Sequence, residues 1–437
     1  MLTALSPLDG RYAATVEPLQ AFFSEFALHR ARVFVEVSYF AALAKEKKVK
    51  ELKNLNPKQQ KALQNIIDNF TEKEAEAIKK TEATTKHDVK AVEYYLKKKI
   101  EAIPGLKAAS EFVHFGLTSE DTNNLAYGIL IHQALDALLI PALEAVMGDL
   151  LGLITQWKAV RILSLTHGQP ATPTTIGKEL MVFVSRLEKQ MKKLEAFRMQ
   201  GKLGGAVGNF SAHRAAYPEI EWEEFAQDFI ESLNLEPLLF TTQINPHDDL
   251  AELSHLFCRI DSILLNLCRD SWMYISRGVF RQKVIKGEVG SSTMPHKVNP
   301  IDFENAEGNF GLSNALFSHF AEKLPISRMQ RDLSDSTVQR NIGVAFGHWL
   351  VAVYALRKGL GKLSVNKHAI HAELDAHPEV LAEAIQMVLR KNGVEGAYEK
   401  LKAITRGEKV TKKDLQKFVD TLKLPAEEKK RLRKLTS

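Results

Sequence analysis

One stretch of the sequence decides the fold: residues 118–147 read TSEDTNNLAYGILIHQALDALLIPALEAVM. Its first four residues are typical of a helix cap. From there a helical pattern of apolar residues continues to about residue 163, far beyond the roughly dozen residues of an average helix. Pro141 is the main interruption, and we predict a kink there because proline removes a backbone donor and clashes with the preceding turn.

Further long helical patterns follow this one, and several exceed 25 residues. Such helices cannot each form an ordinary globule, but they can lie side by side in an elongated bundle, which often extends across subunits. Almost no segment alternates polar and apolar residues between turns, so the sequence predicts an all-α protein. The other long patterns cover residues 174–200, 246–277, 300–323 and 334–362.

Shorter helices flank the long ones. Apolar residues recur at helical spacing over residues 18–45, Asn56-Pro57 begins a second helix, and a capping box at Thr71 to Glu74 begins a third. Pro104-Gly105 separates this part from the long helices. The predicted organisation is therefore an N-terminal helical domain, a central bundle and a small C-terminal helical domain, over residues 1–110, 111–364 and 365–437.

The charge distribution argues against a nucleic-acid-binding protein. The chain has 437 residues, 45% of them hydrophobic, and a net charge of +6. Residues 401–437 hold twelve Lys/Arg against five Asp/Glu, so the other 400 residues carry a net charge of −1. A basic surface that could follow nucleic acid is not predicted, and the C-terminal charge is interpreted as a solvated helical face.

The two cysteines indicate a reducing compartment. Cys258 and Cys268 lie ten residues apart on one helical pattern, too far along the axis to form a disulfide. Two buried thiols fit the cytosol. Because no cysteines and histidines cluster at ligand spacing, we predict no metal site.

Neither a signal peptide nor a membrane span is predicted. The first residues, MLTALSP, lack the basic and apolar regions of a signal peptide. The most apolar run, residues 134–147, contains Asp136, Pro141 and Glu144, which argues against a span. We therefore expect a cytoplasmic protein without a membrane partner.

A Gly/Ser loop between two apolar helical patterns is the strongest candidate for chemistry. Residues 287–299 read GEVGSSTMPHKVN. Glycines let backbone N–H groups turn toward a ligand, Ser291 and Ser292 offer hydroxyls, and Lys297 offers a positive charge, a set that suits an anion. Asn299 then caps the next helix, with a proline after it. On glycine content alone, an inert surface loop would be the better interpretation.

Two other polar segments stand out. His167 lies in LTHGQPATP, residues 165–173, which is predicted as a loop between two long helices that presents the imidazole rigidly. A lone histidine is more often structural than catalytic, so the flanking polar and proline residues matter. His87 lies near a predicted helix N-terminus, where N–H groups and the helix dipole favour anions. Thr118 and Ser119 stand at the start of the longest helix.

These motifs resemble those of one superfamily. GSSTMPHKVNP closely resembles the signature of the fumarase/aspartase superfamily, whose members eliminate fumarate, or a relative of it, from a substituted succinate. THGQP resembles a second motif of that superfamily, and residues 112–123 resemble its first region, which contacts the departing dicarboxylate. The resemblance implies that Ser291 is the catalytic base and His167 the general acid.

Within the superfamily, the adenylosuccinate lyases are the most similar group. MPHK at residues 294–297 favours them or the cycloisomerases, and KHDV at 86–89 and RDLSDS at 331–336 favour the lyases. SPLDGRY at residues 6–12 resembles their bacterial purine-pathway form. Lys86 stands where the usual motif has arginine. The resemblance implies cleavage of adenylosuccinate to AMP and of SAICAR to AICAR, each with release of fumarate.

The resemblance also implies a set of site residues. Those implied to hold the nucleotide and its phosphate are Arg11, Tyr12, Arg331, Ser336 and Arg340. Those implied to surround the succinyl part are Lys86, His87, Asp88, Thr118, Ser119, Gln243, Lys297 and Asn299. Thr166, Ser292 and Asn305 complete the implied substrate-binding set, and the implied catalytic set is Ser291, His167, Glu304, His87 and Lys297. Without the resemblance, the arginines would be interpreted as solvated or paired surface charges.

The implied reaction is a β-elimination that needs no cofactor. The base removes a Cβ proton, the adjacent carboxylate accepts the charge, and His167 protonates the departing nitrogen. A serine is a poor base, so loop N–H groups and Lys297 must stabilise its oxyanion, while Glu304 is the expected partner of His167. The resemblance and the helix lengths together predict a homotetramer whose active sites are shared between subunits.

Two alternatives remain open from the sequence. The first is a related lyase or cycloisomerase that acts on a dicarboxylate without a nucleotide. The second is a helical scaffold protein, to which long bundles and a basic tail also belong.

Overall fold

The computed structural model describes residues 2–52, 54–285, 287, 294, 296–405 and 410–436, and within these ranges the chain is mainly helical. The α-helices are α1 Ala13–Val16, α2 Gln20–Phe23, α3 Glu25–Leu43, α4 Pro57–Asp68, α5 Glu72–Thr85, α6 Asp88–Glu101, α7 Ser119–Ala134, α8 Ile140–Trp157, α9 Ile176–Ala196, α10 Ser211–Ala216, α11 Trp222–Ser232, α12 Asp248–Ser276, α13 Ile301–Lys323, α14 Ser334–Gln339, α15 Ile342–Lys362, α16 Lys367–Ala376, α17 Ala382–Lys391, α18 Ala397–Thr405, α19 Lys412–Thr421 and α20 Ala426–Thr436. Short 3₁₀ turns occur at Glu17–Leu19, Ala108–Phe112 and Pro378–Leu381. The all-α prediction is confirmed.

Capping residues fix where the helices near the candidate site begin. α5 starts with the capping box predicted at Thr71, and α4 starts at the predicted Asn56-Pro57, where the structure adds a second capping box. α7 starts with another, in which the Thr118 N–H donates to Asp121 Oδ2 at 2.8 Å. His87 caps α6, since its Nδ1 accepts from the Lys90 N–H at 3.2 Å. Side-chain capping thus places His87, Thr118 and Ser119 at helix N-termini.

The long helix predicted from residue 118 runs through α7 and α8, joined by a π-helical turn at Leu135–Leu139. In this turn the Ile140 N–H bonds the Leu135 carbonyl, five residues back. Pro141 lacks an N–H and clashes with the carbonyl four residues earlier, so a wider turn just before it relieves the conflict. The irregularity predicted at Pro141 takes this form, and the helix ends at Trp157 rather than near residue 163.

The segment predicted as a loop around His167 is a β-hairpin. β1 Arg161–Thr166 and β2 Gln169–Thr175 pair antiparallel, and His167 and Gly168 form the two-residue turn. Both turn residues have positive φ, 54° and 72°, as a type I′ hairpin turn requires. The loop prediction was therefore wrong in type, because the turn chemistry of His-Gly was not recognised.

The other long helices match their predicted ranges to within four residues, with one exception. Residues 334–362 were predicted as one helix but form α14 and α15, separated at Arg340 and Asn341. Four more short strands form two further pairs. β3 Gln200–Gly201 pairs with β4 Glu236–Pro237, and β5 Phe280–Gln282 pairs with β6 Leu363–Val365.

The chain divides into two compact units. The first comprises Met1–Ala145, Leu187–Leu265 and Asn305–Ala355, and the second comprises Val146–Arg186, Asn266–Glu304 and Leu356–Ser437. All the boundaries fall inside helices, whereas the sequence placed boundaries near residues 110 and 364. The three predicted domains therefore stay a prediction.

Each unit has an apolar core. In the first, Phe257 packs against Phe317, Phe346 and Trp349, with ring centroids 5.0–5.5 Å apart. In the second, α17 to α20 surround a small cluster that includes Ile385, Leu415 and Leu432, all less than 5% exposed. Aromatic and aliphatic burial of this kind is the main stabilising contribution in each core.

The helix Ser119–Trp157 is long and apolar enough to span a membrane by length and composition. Its most apolar window has a mean hydropathy of 1.9, and 28% of that window is buried within the chain. The sequence had argued against a span from Asp136, Pro141 and Glu144. An apolar helix that is mostly uncovered in a single chain also fits a surface that further subunits cover.

A buried carboxyl lies in the core of the first unit. Asp261 on α12 is fully buried, and burial raises its pKa well above the ordinary value. The side chains of Ser313 on α13 and Trp349 on α15 favour the charged form, but they do not offset the burial. Burial therefore favours the protonated form of Asp261 in the folded protein, relative to the unfolded chain.

We expect Asp261→Asn to raise the free energy of unfolding at pH 7 by about 1–3 kcal/mol. In the parent protein, Asp261 of the unfolded chain ionises above about pH 4, whereas burial raises its pKa in the folded form, so stability falls as the pH rises above about 4. Asparagine does not ionise, so the gain should grow between pH 4 and pH 7. Urea denaturation across this range tests it, with Asp228→Asn on the exposed surface of α11 as the control. If the free energy of unfolding had the same pH dependence in the parent and in Asp261→Asn, a raised pKa of Asp261 in the folded protein would be contradicted.

Candidate active site

A polar cavity of about 890 Å³ opens in the first unit. Its walls come from the start of α6, the start of α7 and α14, together with loop residues around 206, 243 and 330. Nine of the predicted substrate-binding residues line it: Lys86, His87, Asp88, Thr118, Ser119, Gln243, Arg331, Ser336 and Arg340. Residues as far apart in the sequence as Lys86 and Arg340 thus meet at one site.

The reversal between α5 and α6 presents two of these residues. Lys86 ends α5 in the left-handed conformation, with φ 55°, and His87 then begins α6 in extended conformation. His87 accepts a backbone N–H through Nδ1, so in the neutral ring Nε2 carries the proton and can donate. Its side chain is 53% exposed. The site therefore receives an ammonium group and an imidazole N–H next to a helix N-terminus.

The start of α7 is held by a fully buried ion pair. Lys202 Nζ donates to Asp121 Oδ1 at 2.6 Å, and both side chains are 0% exposed. Asp121 also accepts from the N–H groups of Gly204 and Gly205, at 2.9 and 3.1 Å. These bonds fix the helix end that carries Thr118 and Ser119. The N-terminal dipole of α7 favours an anion at this place.

Arg331 and Gln243 form another part of the cavity wall. Arg331 Nη1 donates to Gln243 Oε1 at 3.3 Å, and Gln243 Nε2 donates to the Ala206 carbonyl at 2.8 Å. The Arg331 side chain is 13% exposed, while that of Arg340 is 63% exposed. Two guanidinium groups and the Ser336 hydroxyl can therefore converge on one anionic group of a ligand.

Sequence reasoning missed Arg32, which lies on α3 and lines the cavity. Arg32 is 3% exposed, and its guanidinium donates to Asp88 Oδ2 at 2.7 Å and to Asn123 Oδ1 at 2.8 Å. Burial raises the pKa of Asp88, but Arg32, the Val89 N–H and Arg340 outweigh it, so the pKa is lowered overall. The helical pattern of α3 indicated an apolar core helix and gave no signal for this arginine.

A buried acidic cluster lies behind Arg331. Glu120 and Asp335 approach Arg331 Nη2 at 3.7 and 3.9 Å, and His247 Nε2 lies 3.9 Å from Asp335 Oδ2. Burial raises the pKa of Glu120 to about 7, although His247, Arg331 and Lys202 lower it. The sequence missed the cluster because its members lie far apart along the chain.

Among the residues that the structure describes, two groups of three have donor atoms close enough to hold a metal ion. They are Glu120 with His247 and Asp335, and Glu25 with His29 and Glu82. Lys79 Nζ lies 2.7 Å from Glu25 and 2.9 Å from Glu82, and Arg331 stands beside the first group. Side-chain cations therefore already balance these carboxylates. No metal site at either group is proposed.

Three predicted residues of the first unit do not line this cavity. Tyr12 Oη donates to Asn305 Oδ1 at 3.2 Å, so two of them bond each other. Arg11 is exposed.

The remaining predicted residues belong to the second unit. His167 and Thr166 are exposed at the hairpin tip, Lys297 is exposed and Asn299 is half-buried. Glu304 accepts from Trp272 Nε1 at 3.1 Å. Among the described residues of one chain, His167 makes no hydrogen bond to Glu304. Ser291 and Ser292 lie outside the described residues.

The fold is shared with two solved enzymes, a fumarate lyase and a lactonizing enzyme. A fumarate lyase from Mesorhizobium sp. BNC1 matches with a TM-score of 0.76 at 19% identity, over 96% of this chain and 93% of that one. A 3-carboxy-cis,cis-muconate lactonizing enzyme from Pseudomonas putida matches with a TM-score of 0.73 at 21% identity, over 95% and 92% of the two chains. The Lyase family profile also matches residues 10–311. Fold and sequence thus define a lyase of the fumarase/aspartase superfamily.

The sequence relatives narrow the class. The chain is 52% identical over 435 residues to an adenylosuccinate lyase of Legionella pneumophila (strain Corby), covering 100% of this chain and 95% of the relative. It is 49% identical over 435 residues to that of Escherichia coli (strain K12), with the same coverage. The adenylosuccinate lyase C-terminal family matches residues 327–437. The chain belongs to the adenylosuccinate lyase family.

We expect Arg32→Met to lower the free energy of unfolding by about 3 kcal/mol, because it leaves the partly buried Asp88 carboxylate without its nearest cation. Adding Asp88→Asn should restore at least half of the loss, since the unpaired charge is then removed. Urea denaturation at pH 7 measures both. The loss should shrink as the pH falls below about 4, where an unpaired aspartate becomes protonated. A double variant no more stable than Arg32→Met would refute this account of the pair.

Proposed function

We propose that this protein cleaves adenylosuccinate to AMP and fumarate, and SAICAR to AICAR and fumarate, in purine nucleotide biosynthesis. The observation that carries the proposal is the single cavity in which nine residues expected for such a substrate meet. Relatives named adenylosuccinate lyase at about half identity over the whole chain support it. A cycloisomerase or another dicarboxylate lyase is not favoured. The solved enzymes of those kinds share the fold but only 17–21% of the sequence, far less than the relatives named adenylosuccinate lyase.

The cavity suits a ligand that carries one phosphate and two carboxylates. Arg331, Arg340 and Ser336 are proposed to hold the nucleotide phosphate through charge-assisted hydrogen bonds. Lys86 and His87 are proposed to contact the succinyl part, together with Asp88, Thr118, Ser119 and Gln243. The N-termini of α6 and α7 add favourable potential for the carboxylates.

The proposed reaction divides its two proton transfers between two groups. Ser291 takes the Cβ proton of the succinyl part, and the neighbouring carboxylate accepts the electron pair as an aci-carboxylate. His167 then gives a proton to the departing nitrogen, so the C–N bond breaks and fumarate forms. Lys297 and loop N–H groups are proposed to stabilise the serine oxyanion. The substrate carboxylate serves as the electron sink, so no cofactor or metal is proposed.

We also propose a homotetramer with shared active sites. Large apolar side chains on the long helices are exposed in a single chain, among them Met273 at 50% and Leu312 at 51%. Covering them with copies of the same helices would bury this surface. The cavity is formed by the first unit, whereas His167, Lys297 and Glu304 belong to the second. Completion of each site by neighbouring subunits would also bring Glu304 of one chain to His167 of another. The cytoplasm is the proposed location.

Incubation with adenylosuccinate should release fumarate and AMP in equal amounts, and Ser291→Ala should lower turnover by about three orders of magnitude or more while substrate binding changes little, because a transition-state role is removed. Absorbance of the succinylated purine follows turnover, and calorimetry measures binding. Arg357→Lys, a change at a residue outside the predicted site set, is the control. Absence of fumarate release by the parent would contradict the proposed activity. An effect of Ser291→Ala of only a few-fold would contradict the role of Ser291 as catalytic base and leave the activity itself standing.

Mixing His167→Asn and Ser291→Ala proteins, each nearly inactive, should restore activity after subunit exchange. In a composite site, some hybrids receive His167 from one chain and Ser291 from another and carry neither defect. Native mass spectrometry shows whether hybrids form. Activity that stays at the level of the single variants in proven hybrids would place both residues in the same chain's contribution to the site.

A further inference from the structure

The direction of the His167 side chain depends on a hairpin that needs contacts with other elements to keep its position. His167 is exposed at the tip, and a two-stranded hairpin by itself is marginally stable in water. The turn is stiff, since His167 and Gly168 both have positive φ. What the tip points at is therefore decided lower down, where the strands are attached to the rest of the second unit.

The hairpin contains an irregularity at the level of Leu163, four residues before His167. Ile162 pairs with Thr174 and Ser164 pairs with Ala171, so Thr172 and Pro173 of β2 stand opposite the single residue Leu163 of β1. A bulge of this kind bends the strand and re-aims everything beyond it. The bulge is therefore the position at which the path of the hairpin tip is set.

Arg277 holds this bulge. It follows α12 directly, and its Nη2 donates to the Leu163 carbonyl at 3.0 Å. The same guanidinium donates to Glu373 Oε1 of α16, from Nε at 3.0 Å and from Nη2 at 2.7 Å. The side chains of Arg277 and Glu373 are 15% and 24% exposed, and the guanidinium also lies 5.7 Å from the Tyr274 ring centroid. A partly buried guanidinium whose N–H groups are divided between a carbonyl oxygen and a carboxylate oxygen has little freedom to move.

The second strand is attached to the same part of the chain. The Thr172 hydroxyl donates to Glu383, which lies in the first turn of α17. α16 packs against β1, and the turn Pro378–Leu381 packs against β2. Residues 367–383 thus contact both strands. This part of the C-terminal region therefore supports the hairpin, a role that the sequence did not indicate.

We propose that Arg277 is a positioning residue for His167, which sets the direction of the imidazole by tying the Leu163 carbonyl to Glu373. The inference rests on the proposed function, in which His167 protonates the leaving nitrogen. Arg277 has no contact with the reacting atoms in this scheme. Its effect passes through the bulge, because a small displacement there is carried along four residues to the tip. Misplacement by about 1 Å can cost roughly 100-fold in rate.

Arg277→Lys tests the proposal, since lysine keeps the charge near Glu373 but has no fork to bridge two acceptors. We expect kcat for adenylosuccinate to fall about 10- to 100-fold, with KM within about threefold, because the substrate cavity is untouched. Arg357→Lys is the matched control: Arg357 belongs to the same unit and its Nε bonds Asp149 at 2.7 Å. A kcat near that of the parent, a rise in KM in proportion to the loss, or an equal loss in the control would overturn the proposal.

Subunit mixing separates a His167 defect from general damage. Arg277→Lys protein should regain activity when mixed with Ser291→Ala, which supplies an intact hairpin, and should gain nothing when mixed with His167→Asn. Equal rescue by both partners, or by neither once Ser291→Ala and His167→Asn are known to rescue each other, would refute the inference. If His167 and Ser291 prove to act within one chain, the split between kcat and KM decides alone.

A second variant is needed if Arg277→Lys folds poorly, which circular dichroism and native mass spectrometry would reveal. Thr172→Val removes the hydroxyl that bonds Glu383 and keeps the side-chain shape, so kcat should fall about threefold or more at constant KM, and Thr172→Ser should restore it. A kcat of Thr172→Val equal to that of the parent would then overturn the proposal that attachment of the hairpin positions His167. A parent without lyase activity, or a fully active His167→Asn, would sink the proposed function itself. An active parent, an inactive His167→Asn and a normal Arg277→Lys would sink only this inference.

Discussion

The buried ion pair between Lys202 and Asp121 is the interaction on which the cavity depends. Two charges with 0% exposure survive in a core only if their hydrogen bonds are satisfied, and here Asp121 accepts from Lys202 and from three backbone N–H groups. Lys202 also donates to the Gly205 carbonyl at 2.9 Å. The pair therefore locks the first turn of α7 to the glycine segment 204–205, with little freedom for either to shift. Thr118 and Ser119 owe their place at the cavity to this lock.

Much of the helical framework follows from sequence patterns because its signals are local. The cap residues Asn56, Thr71 and Thr118 indicate where helices begin, and apolar periodicity gives the extent of the helices to within a few residues. The cavity residues were named through resemblance to a superfamily, and nine of them meet in one place. The roles of Ser291 and His167 stay predictions.

What sequence reasoning missed is non-local. Arg32 stands on a helix whose apolar pattern hides one buried guanidinium, and its meaning appears only when Asp88 and Asn123 are brought to it. Glu120 is one residue beyond Ser119, yet its partners come from residues 247 and 331–335. The hairpin at His167 was missed for a different reason, since its two-residue His-Gly turn is a local signal that was interpreted as a loop between two helices.

The π-helical turn at Leu135–Leu139 has a consequence for how this long helix can vary. An α-helix turns by about 100° per residue, and a π-turn accommodates one additional residue in a single turn. Residues on either side of it keep helical hydrogen bonds while their faces are offset by that one residue. Loss of a single residue here would leave an unbroken helix but rotate every position of α8 relative to α7. Among natural variants, a one-residue gap at this place should therefore be accompanied by coordinated changes along the apolar face of α8, whereas gaps elsewhere in the helix should be absent.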